Sequence, residues 1–345
     1  MIRAALSIVA MAASAGPVAA QTALFATDEP LRLEIRGPIS AIVKGSRDAP
    51  ATRPAQLSVV GTGVSQAIRL TPRGITRLRR ETCTFPPLRV EFALPPAPPS
   101  PFAGQGRLKL VTHCQPSTSF QQHVLLEYAA YRLYNLISPA SFRARLASID
   151  YVDDDGRPFA SRVGFFIEER DDVGRRIGLA PAPVGDLVAA RRLDAAASAR
   201  FALFEYMIGN LDWSMRAGPP GDGCCHNGRL FSAPNASSTA ANLVPVPYDF
   251  DFSGLVDAPY ATPPEGYSGS VRHRHYRGYC AHNAEVRAAA ADLRAKRSAI
   301  LGEFARIPGL EPRRQRKAIA YLGEFFADIA NDKRVDDQLL RSCVG

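Results

Sequence analysis

Gly-Asn-Leu-Asp-Trp-Ser (209–214), His-Asn (226–227) and Pro-Tyr-Asp-Phe-Asp (247–251) are the motifs that decide the predicted fold. In chain order they present a carboxylate (Asp212), a carboxamide (Asn227) and two further carboxylates (Asp249 and Asp251). Phosphotransferases of the protein-kinase type need this order, because one aspartate accepts the proton of the attacking hydroxyl while an asparagine and a later aspartate bind the metal. Such hard oxygen ligands suit Mg²⁺ or Mn²⁺ better than zinc.

Three residues earlier in the chain are candidates for nucleotide binding. Lys109 lies in a strand-like run, and Glu127 lies in the helical stretch that follows it. A kinase-type site needs a strand lysine that holds the nucleotide phosphates and a helix glutamate that orients the lysine. We therefore expect this pair to bind ATP or another nucleotide. Glu168 ends a predicted strand where a hinge would contact the base, although the same pattern also fits an edge strand.

Other functions fit parts of the same pattern. The alternation of Asp249 and Asp251 with aromatic residues suits a strand whose carboxylates share one face, and such a face could bind calcium structurally. A catalytically degenerate fold that binds a ligand or a partner would keep most of these residues. An unrelated hydrolase or a structural protein is the third alternative. The sequence contains neither a G-x-S-x-G nor an H-E-x-x-H motif, so the hydrolase has no motif in its favour.

The N-terminus predicts export. A short positive start is followed by an apolar run and by a small-residue cleavage site, which predicts a signal peptide over residues 1–20 with cleavage after Ala20. The alternative is a membrane anchor, but the apolar run is short and Gly-Pro (16–17) interrupts it. We expect no membrane span in the mature protein, which would be periplasmic or secreted.

Charge and cysteine content narrow the possible partners. The formal net charge of +9 permits an anionic partner, but the basic residues are scattered and form no known nucleic-acid motif, so we expect no nucleic-acid role.

The six cysteines of an exported chain predict up to three disulfides, whose pairing the sequence does not fix. We expect the adjacent Cys224 and Cys225 to bond to two different partners. The sequence gives no indication of the oligomeric state.

The pattern of hydrophobic residues predicts an α+β protein. Strand-like runs are predicted at 31–35, 56–60, 67–70, 88–92, 106–111, 147–152 and 162–167. Helical periodicity is predicted at 120–136, 283–306 and 312–329. We therefore expect a two-lobed protein-kinase-like fold. A β-rich N-lobe with one helix would span residues 21–170, and a mainly helical C-lobe with the catalytic and metal loops would span residues 171–345.

At these motifs the chain resembles the spore-coat protein H (CotH) kinase-like family, and in particular its exported bacterial members. The resemblance implies a two-lobed ATP-binding fold and phosphorylation of protein Ser or Thr, although a glycan or a small molecule could equally supply the hydroxyl. Asp212 then matches the catalytic aspartate, and Asn227 with Asp249 or Asp251 matches the metal ligands. The chain departs from the kinase pattern by separating Asp212 from Asn227 by 15 positions, which requires a bulging loop. It also lacks a G-x-G-x-x-G motif, and the periplasm has no bulk supply of ATP.

Overall fold

The structure is a computed structural model that describes residues 22–221 and 223–345, and its N-terminal half is a closed barrel of seven β-strands. The predicted signal peptide and its cleavage site lie outside the described residues. Each of the seven predicted strands overlaps one strand of the barrel. The strands are β1 (Leu31–Arg36), β2 (Arg53–Val59), β3 (Ser65–Pro72), β4 (Leu88–Phe92), β5 (Arg107–Val111), β6 (Ala144–Val152) and β7 (Pro158–Ile167).

The barrel closes through one parallel pair of strands. Around the barrel the order is β1, β2, β3, β4, β5, β7 and β6, and all neighbours are antiparallel except β6 and β1. In that parallel pair, Leu31 lies opposite Ala147 and Arg36 lies opposite Val152. Closure leaves no unpaired sheet edge along these strands.

The closed barrel shows that the predicted fold is wrong. A protein-kinase-like fold has an open sheet in a separate N-lobe, whereas the seven strands here form a mixed barrel with eight α-helices in the described part of the chain. The physical reason is the pairing of β1 with β6, which lie more than a hundred residues apart. Local periodicity identifies individual strands, but it carries no information about which distant strands pair.

Alternating side chains fill the barrel. In β1, Leu31, Leu33 and Ile35 are buried. Arg32, which lies between the two leucines, and Arg36, which ends the strand, are exposed. This two-residue period places one face of every strand inside the barrel. The resulting core draws residues from all seven strands, including Leu57, Leu70, Val90, Leu108, Ile149 and Phe166.

Of the eight helices in the described part of the chain, the first packs into the barrel core and the other seven build a second core with the C-terminal half. In chain order the eight helices are α1 (Ile39–Lys44), α2 (Gln121–Ile137), α3 (Arg170–Ile177), α4 (Ala195–Ile208), α5 (Asn283–Ala295), α6 (Arg297–Gly302), α7 (Pro312–Asp328) and α8 (Asp332–Gln338). Helix α2 packs on the barrel through Tyr131, whose ring centroid is 5.6 Å from that of Phe165 in β7. The single helix predicted at 283–306 is divided at Lys296 into α5 and α6.

A small sheet and the buried helix α4 support the segments that carry the motifs. Strands β8 (Ala180–Pro181), β9 (Gly228–Ser232) and β10 (Val244–Pro247) form a three-stranded antiparallel sheet that was not predicted. Helix α4 is apolar on nearly all sides and lies inside the second core. None of the helices among residues 22–221 and 223–345 is both long and apolar enough to cross a lipid bilayer.

All six cysteines are paired. Cys83 bonds to Cys114 within the barrel half, and Cys280 bonds to Cys343 near the C-terminus. Cys224 and Cys225 bond to each other, so the prediction that they bond to different partners is wrong. Three disulfides and no free thiol fit an exported protein, because disulfides persist in oxidising compartments.

Candidate functional site

The predicted catalytic segment begins where α4 ends. Gly209 terminates the helix with a positive φ of 65°, and the chain turns into the loop that contains Asn210 and Asp212. The side-chain oxygen of Asn210 accepts a hydrogen bond from the Asp212 amide at 3.0 Å, and its carbonyl accepts one from Trp213 Nε1 at 3.0 Å. The loop is therefore held by its own polar groups. Trp213 is buried, as expected for a residue that packs beneath the loop.

Asp212 is oriented by two side chains from a distant segment. His226 Nε2 lies 2.7 Å from Asp212 Oδ1, and Asn227 Nδ2 donates to Asp212 Oδ2 at 3.0 Å and to its carbonyl oxygen at 2.6 Å. The hydrogen bond to Asp212 raises the pKa of His226 above its ordinary value, although burial opposes this shift. The carboxylate is thus fixed in position while remaining partly accessible from the cleft.

The described residues between Asp212 and Asn227 form a loop, as predicted. The Ser214 amide donates to the carbonyl of His226 at 2.9 Å, and the His226 amide donates to the carbonyl of Ala217 at 3.0 Å. These bonds close the base of the loop and bring residues that are 15 positions apart into contact. The disulfide between Cys224 and Cys225 lies in the returning arm of the loop.

Two carboxylates follow strand β10. Asp249 has a positive φ of 67°, and its amide donates to Tyr131 Oη of α2 at 2.9 Å. Asp251 accepts a hydrogen bond from Tyr260 Oη at 2.9 Å. Because Phe250 between them is fully buried, it anchors the segment while both carboxylates reach the cleft.

A buried arginine joins these carboxylates to the helix glutamate. Arg77 Nη1 lies 2.9 Å from Glu127 Oε2, its Nη2 lies 2.9 Å from Asp249 Oδ1, and its Nε lies 3.1 Å from Asp251 Oδ2. One carboxylate oxygen from each of the three acids lies within 4.8 Å of the other two. We call Glu127, Asp249 and Asp251 the acidic triad. Three carboxylates against one guanidinium leave an excess of negative charge when all are ionised.

Burial and charge separate the pKa values of the triad. Burial raises the pKa of Glu127 to about 8, against the opposing charge of Arg77. Burial also raises the pKa of Asp251 to about 6, and the negative charge of Asp249 adds to that shift. Burial opposes ionisation of Asp249 as well, but the positive charges of Arg77, Arg73, Lys109 and His226 together lower its pKa. An additional cation would therefore favour full ionisation of the triad.

The predicted pair of Lys109 and Glu127 does not form, so that prediction is wrong. Glu127 bonds to Arg77, and the ammonium of Lys109 lies 4.5 Å from the centroid of the Tyr248 ring. Burial, helped by the positive charge of Arg73, lowers the pKa of Lys109 to about 8. The position beside Glu127 is occupied by Arg77 from the turn between β3 and β4, and Lys109 lies opposite Arg89 and Ile167 in the barrel sheet.

Glu168, which we predicted to contact a nucleotide, is instead bound by groups of the protein itself. Its carboxylate lies 2.8 Å from Arg176 Nη2 and accepts a hydrogen bond from the Arg143 amide at 2.9 Å. Glu168 is nearly fully buried and is not among the residues that line the cleft. The ion pair fixes the last turn of α3 to the residue that follows β7.

The motif residues surround one cleft of about 490 Å³. Asp212, Asn227, Asp249 and Asp251 line it together, so the structure brings four of the seven predicted site residues to one surface. Glu127 lies beneath this surface, and Lys109 lies behind Tyr248. The positively charged lining comes from Arg73, Arg77, Arg229 and His226.

Sequence reasoning missed Arg77 and the role of His226. Arg77 belongs to Pro-Arg-Gly-Ile-Thr-Arg-Leu-Arg-Arg (72–80), which we interpreted as part of a scattered basic population. The glycine within this basic turn between two strands was a usable signal, because such turns bring cations and backbone amides toward anions. His226 adjoins Asn227 in the motif, but only the structure shows that it bonds to Asp212.

Comparisons with known protein families and with curated proteins give no match to this chain. The resemblance to the spore-coat protein H family therefore stays a prediction. The functional argument accordingly depends on the geometry of the cleft.

Proposed function

We propose that this protein is an exported, metal-dependent phosphotransferase that moves a phosphoryl group from a nucleotide such as ATP to a hydroxyl acceptor. The observation that carries the proposal is the position of Asp212. An aspartate oriented by His226 and Asn227 lines the same 490 Å³ cleft as Asp249 and Asp251 of the acidic triad. The three disulfides support a periplasmic or extracellular site of action.

The acidic triad fits a Mg²⁺ or Mn²⁺ ion by the chemistry of its donors. Its ligand atoms are carboxylate oxygens only, and their mutual distances are within 4.8 Å. Asn227 uses Nδ2 for Asp212, so its Oδ1 is available as a further oxygen ligand. When bound, such an ion neutralises negative charge on the phosphates of the donor.

The arginines of the cleft supply phosphate-binding groups. Arg73, Arg77 and Arg229 line the cleft, and a guanidinium can bind two phosphate oxygens at once. Arg77 is positioned by Glu127, which is the arrangement that we had expected of Lys109. The chain therefore provides a cation oriented by a helix carboxylate, although the residue and its position differ from the prediction.

Asp212 has the properties of the group that receives the proton. In the proposed step the acceptor oxygen forms a bond to the terminal phosphorus of the donor, and the bond from that phosphorus to the nucleoside diphosphate breaks. The proton of the acceptor hydroxyl passes to the Asp212 carboxylate, and the leaving diphosphate carries the electron pair. His226 and Asn227 keep the carboxylate oriented toward the cleft, so most of the catalysis comes from positioning and electrostatics.

The acceptor in this proposal is a hydroxyl group, and the residues of the cleft do not favour one class of hydroxyl compound over another. Protein Ser or Thr is the class that the family resemblance implies, and a glycan or a small molecule would satisfy the same residues. Asp212 needs only a hydroxyl that can approach the cleft beside the donor.

A second candidate is a protein that binds a ligand in this cleft without chemistry. The observation in its favour is that Arg77 contacts all three acids of the triad and already neutralises part of their charge. In such a protein the triad would serve to hold Arg77, and an anionic ligand would bind the arginines without a metal.

Thermal denaturation with ligands separates the two candidates. We expect MgATP or MnATP at ~100 times its Kd to raise the Tm by about 4 °C, because a ligand of the native state adds stability by mass action. The rise should disappear in Asp249→Asn/Asp251→Asn and persist in the matched control Asp154→Asn/Asp171→Asn, whose acids are exposed and far from the triad in sequence.

The metal dependence of this shift decides the outcome. A rise in Tm that needs the divalent ion supports the phosphotransferase. An equal rise with ATP in the presence of a chelator supports the ligand-binding candidate. A folded sample without any shift at millimolar nucleotide and metal would refute both.

A further inference from the structure

A second cavity, with a volume of about 740 Å³, adjoins the cleft and has no role in the proposed reaction. It lies between the turn after α1 and the segment 74–81, and it shares Gly74 and Ile75 with the cleft. Four basic side chains line it against two acidic ones, Asp48 and Glu81. We call this cavity the basic groove and define it by the basic residues Lys44, Arg47, Arg79 and Arg80.

Two arginines of the basic groove are fixed by backbone carbonyls. Arg47 Nη2 donates to the carbonyls of Val43 and Thr84 at 3.0 and 2.9 Å. Arg80 donates to the carbonyl of Val43 at 3.1 Å and to that of Gly45 at 2.7 Å. Carbonyls carry only partial negative charge, so these bonds hold the guanidinium groups in place without neutralising them.

Arg47 in particular forms no salt bridge with the described residues. Its Nε and Nη1 are enclosed and have no hydrogen-bond acceptor among the described residues. Burial lowers the pKa of Arg47, and the positive charge of Arg80 lowers it further. Two fixed guanidinium groups that repel each other would be stabilised by an anion in the cavity beside them.

Lys44 and Arg79 complete the positive lining from the surface. Both side chains are exposed, and in the part of the chain that the structure describes neither forms a salt bridge. Ile75, at the boundary between groove and cleft, is 68% exposed and offers an apolar contact. Fixed arginines, exposed cations and an exposed apolar side chain suit an extended polymer better than a single small ion.

We infer that the basic groove binds an acidic polypeptide segment, rich in Asp and Glu, that belongs to the acceptor. Carboxylates of the segment would meet Lys44, Arg79 and the two fixed arginines, while an apolar residue would contact Ile75. The groove is continuous with the cleft through Gly74 and Ile75, so a hydroxyl nearby in the same polypeptide could reach Asp212. This role in acceptor selection rests on the proposed function, whereas binding of the acidic segment does not.

Fluorescence anisotropy with a labelled deca-glutamate peptide tests the binding. We expect the full mature chain to bind this peptide, and salt to weaken the complex because exposed charges are screened. Lys44→Glu/Arg79→Glu should weaken binding by at least about tenfold, because it replaces two attractive charges by two repulsive ones. These two side chains hold no loop in place, so we expect the variant to fold.

A control of equal net charge separates the groove from general attraction. Arg32→Glu/Arg89→Glu changes two exposed arginines on β1 and β4, outside the groove, and should alter the affinity by less than about twofold. Equal loss in both double variants, or no binding by the wild type, would overturn the inference. An oligonucleotide of matched charge that binds more tightly than the peptide would also overturn it and would assign the groove to nucleic acid.

The two proposals fail in different ways. The groove variant Lys44→Glu/Arg79→Glu should keep the nucleotide-dependent rise in Tm, because neither residue lines the cleft. If the peptide binds but no nucleotide-metal pair shifts the Tm, the proposed phosphotransferase function is refuted and the proposed peptide site is supported. If a nucleotide-metal pair shifts the Tm but the peptide does not bind, only the proposed peptide site is refuted.

Discussion

Asp212 differs from the other carboxylates of the cleft in its partners. Asp249 and Asp251 contact Arg77, whereas Asp212 is held by a histidine and an amide. In the proposed reaction, this difference favours a role of Asp212 at the acceptor hydroxyl rather than at the metal or the phosphates. We therefore expect its loss to affect transfer and to spare the binding of the donor.

The variant Asp212→Asn tests this assignment. It keeps the shape of the side chain and removes its charge, so we expect the Kd for MgATP to change by less than about threefold. Phosphate transfer should fall by at least about 100-fold, which is typical for the loss of a general base. Calorimetry measures the binding, and intact mass after incubation with MgATP measures autophosphorylation.

Three results would change the assignment. Phosphate incorporation that persists in Asp212→Asn would remove Asp212 from the mechanism. Lost nucleotide binding in this variant would make Asp212 a metal ligand. A pKa of His226, measured by NMR, that is the same in both proteins would show that the contact between His226 and Asp212 does not exist in solution, since this hydrogen bond is the main cause of the raised pKa.

At the level of elements, the end of α4 positions the loop that contains Asp212. Gly209 has a φ of 65°, and a Cβ atom added there would lie 2.0 Å from Tyr321 Oη. Gly178 ends α3 with a similar φ of 71°, but a Cβ atom there would meet no heavy atom within 4 Å. The two glycines therefore share the backbone requirement and differ in the space around them.

Alanine substitution at both helix ends separates these effects. Gly178→Ala should reduce the free energy of unfolding by about 1 kcal/mol, since only the left-handed backbone is strained. Gly209→Ala should reduce it by about 3 kcal/mol, because a clash with Tyr321 is added. Urea denaturation measures both values. Equal losses at the two positions would contradict the close approach, and Tyr321→Phe, which removes the hydroxyl, should recover part of the loss at Gly209.

The elements also show what the sequence can and cannot predict. Alternation in runs such as Leu-Arg-Leu-Glu-Ile-Arg identified all seven barrel strands, since this period reports burial on one face of a strand. Helices α2 and α7 were predicted for the corresponding reason. Strands β8 and β10 were missed because they are short and contain prolines, as in Val-Pro-Val-Pro (244–247), which weaken the strand signal. Strand β9 was missed as well; it begins with a glycine, a residue that is depleted in strands.

The candidate site was predicted in part. From the order of the motifs in the chain we predicted that Asp212, Asn227, Asp249 and Asp251 share one site, and all four line the same cleft. This prediction was possible because the motifs lie on loops that converge there. The prediction for Lys109 failed, since the residue that pairs with Glu127 depends on the position of a turn from another part of the barrel. Arg77 lies 50 residues before Glu127, and a contact over that distance leaves no local pattern.

At the level of the whole molecule, the prediction of a two-lobed fold was wrong because of one pair of strands. The parallel pairing of β1 with β6 closes the sheet, and this contact joins the two ends of the barrel half. The C-terminal half has a comparable long-range connection, because the disulfide between Cys280 and Cys343 spans 63 residues. Helices α5, α6, α7 and α8 all lie between these two cysteines.

This disulfide should make a large contribution to stability. A cross-link that closes a loop of this length restricts the unfolded chain, and loop-closure entropy predicts a loss of about 4 kcal/mol for Cys280→Ser/Cys343→Ser. Urea denaturation of the non-reduced protein measures the loss. The matched control is Cys224→Ser/Cys225→Ser, whose cysteines are adjacent in the chain, so that the same entropy predicts a loss below about 1 kcal/mol. Equal losses in the two variants would show that chain entropy is not the source. Free thiols in the denatured, non-reduced wild type would show that the three pairs do not all form in the protein.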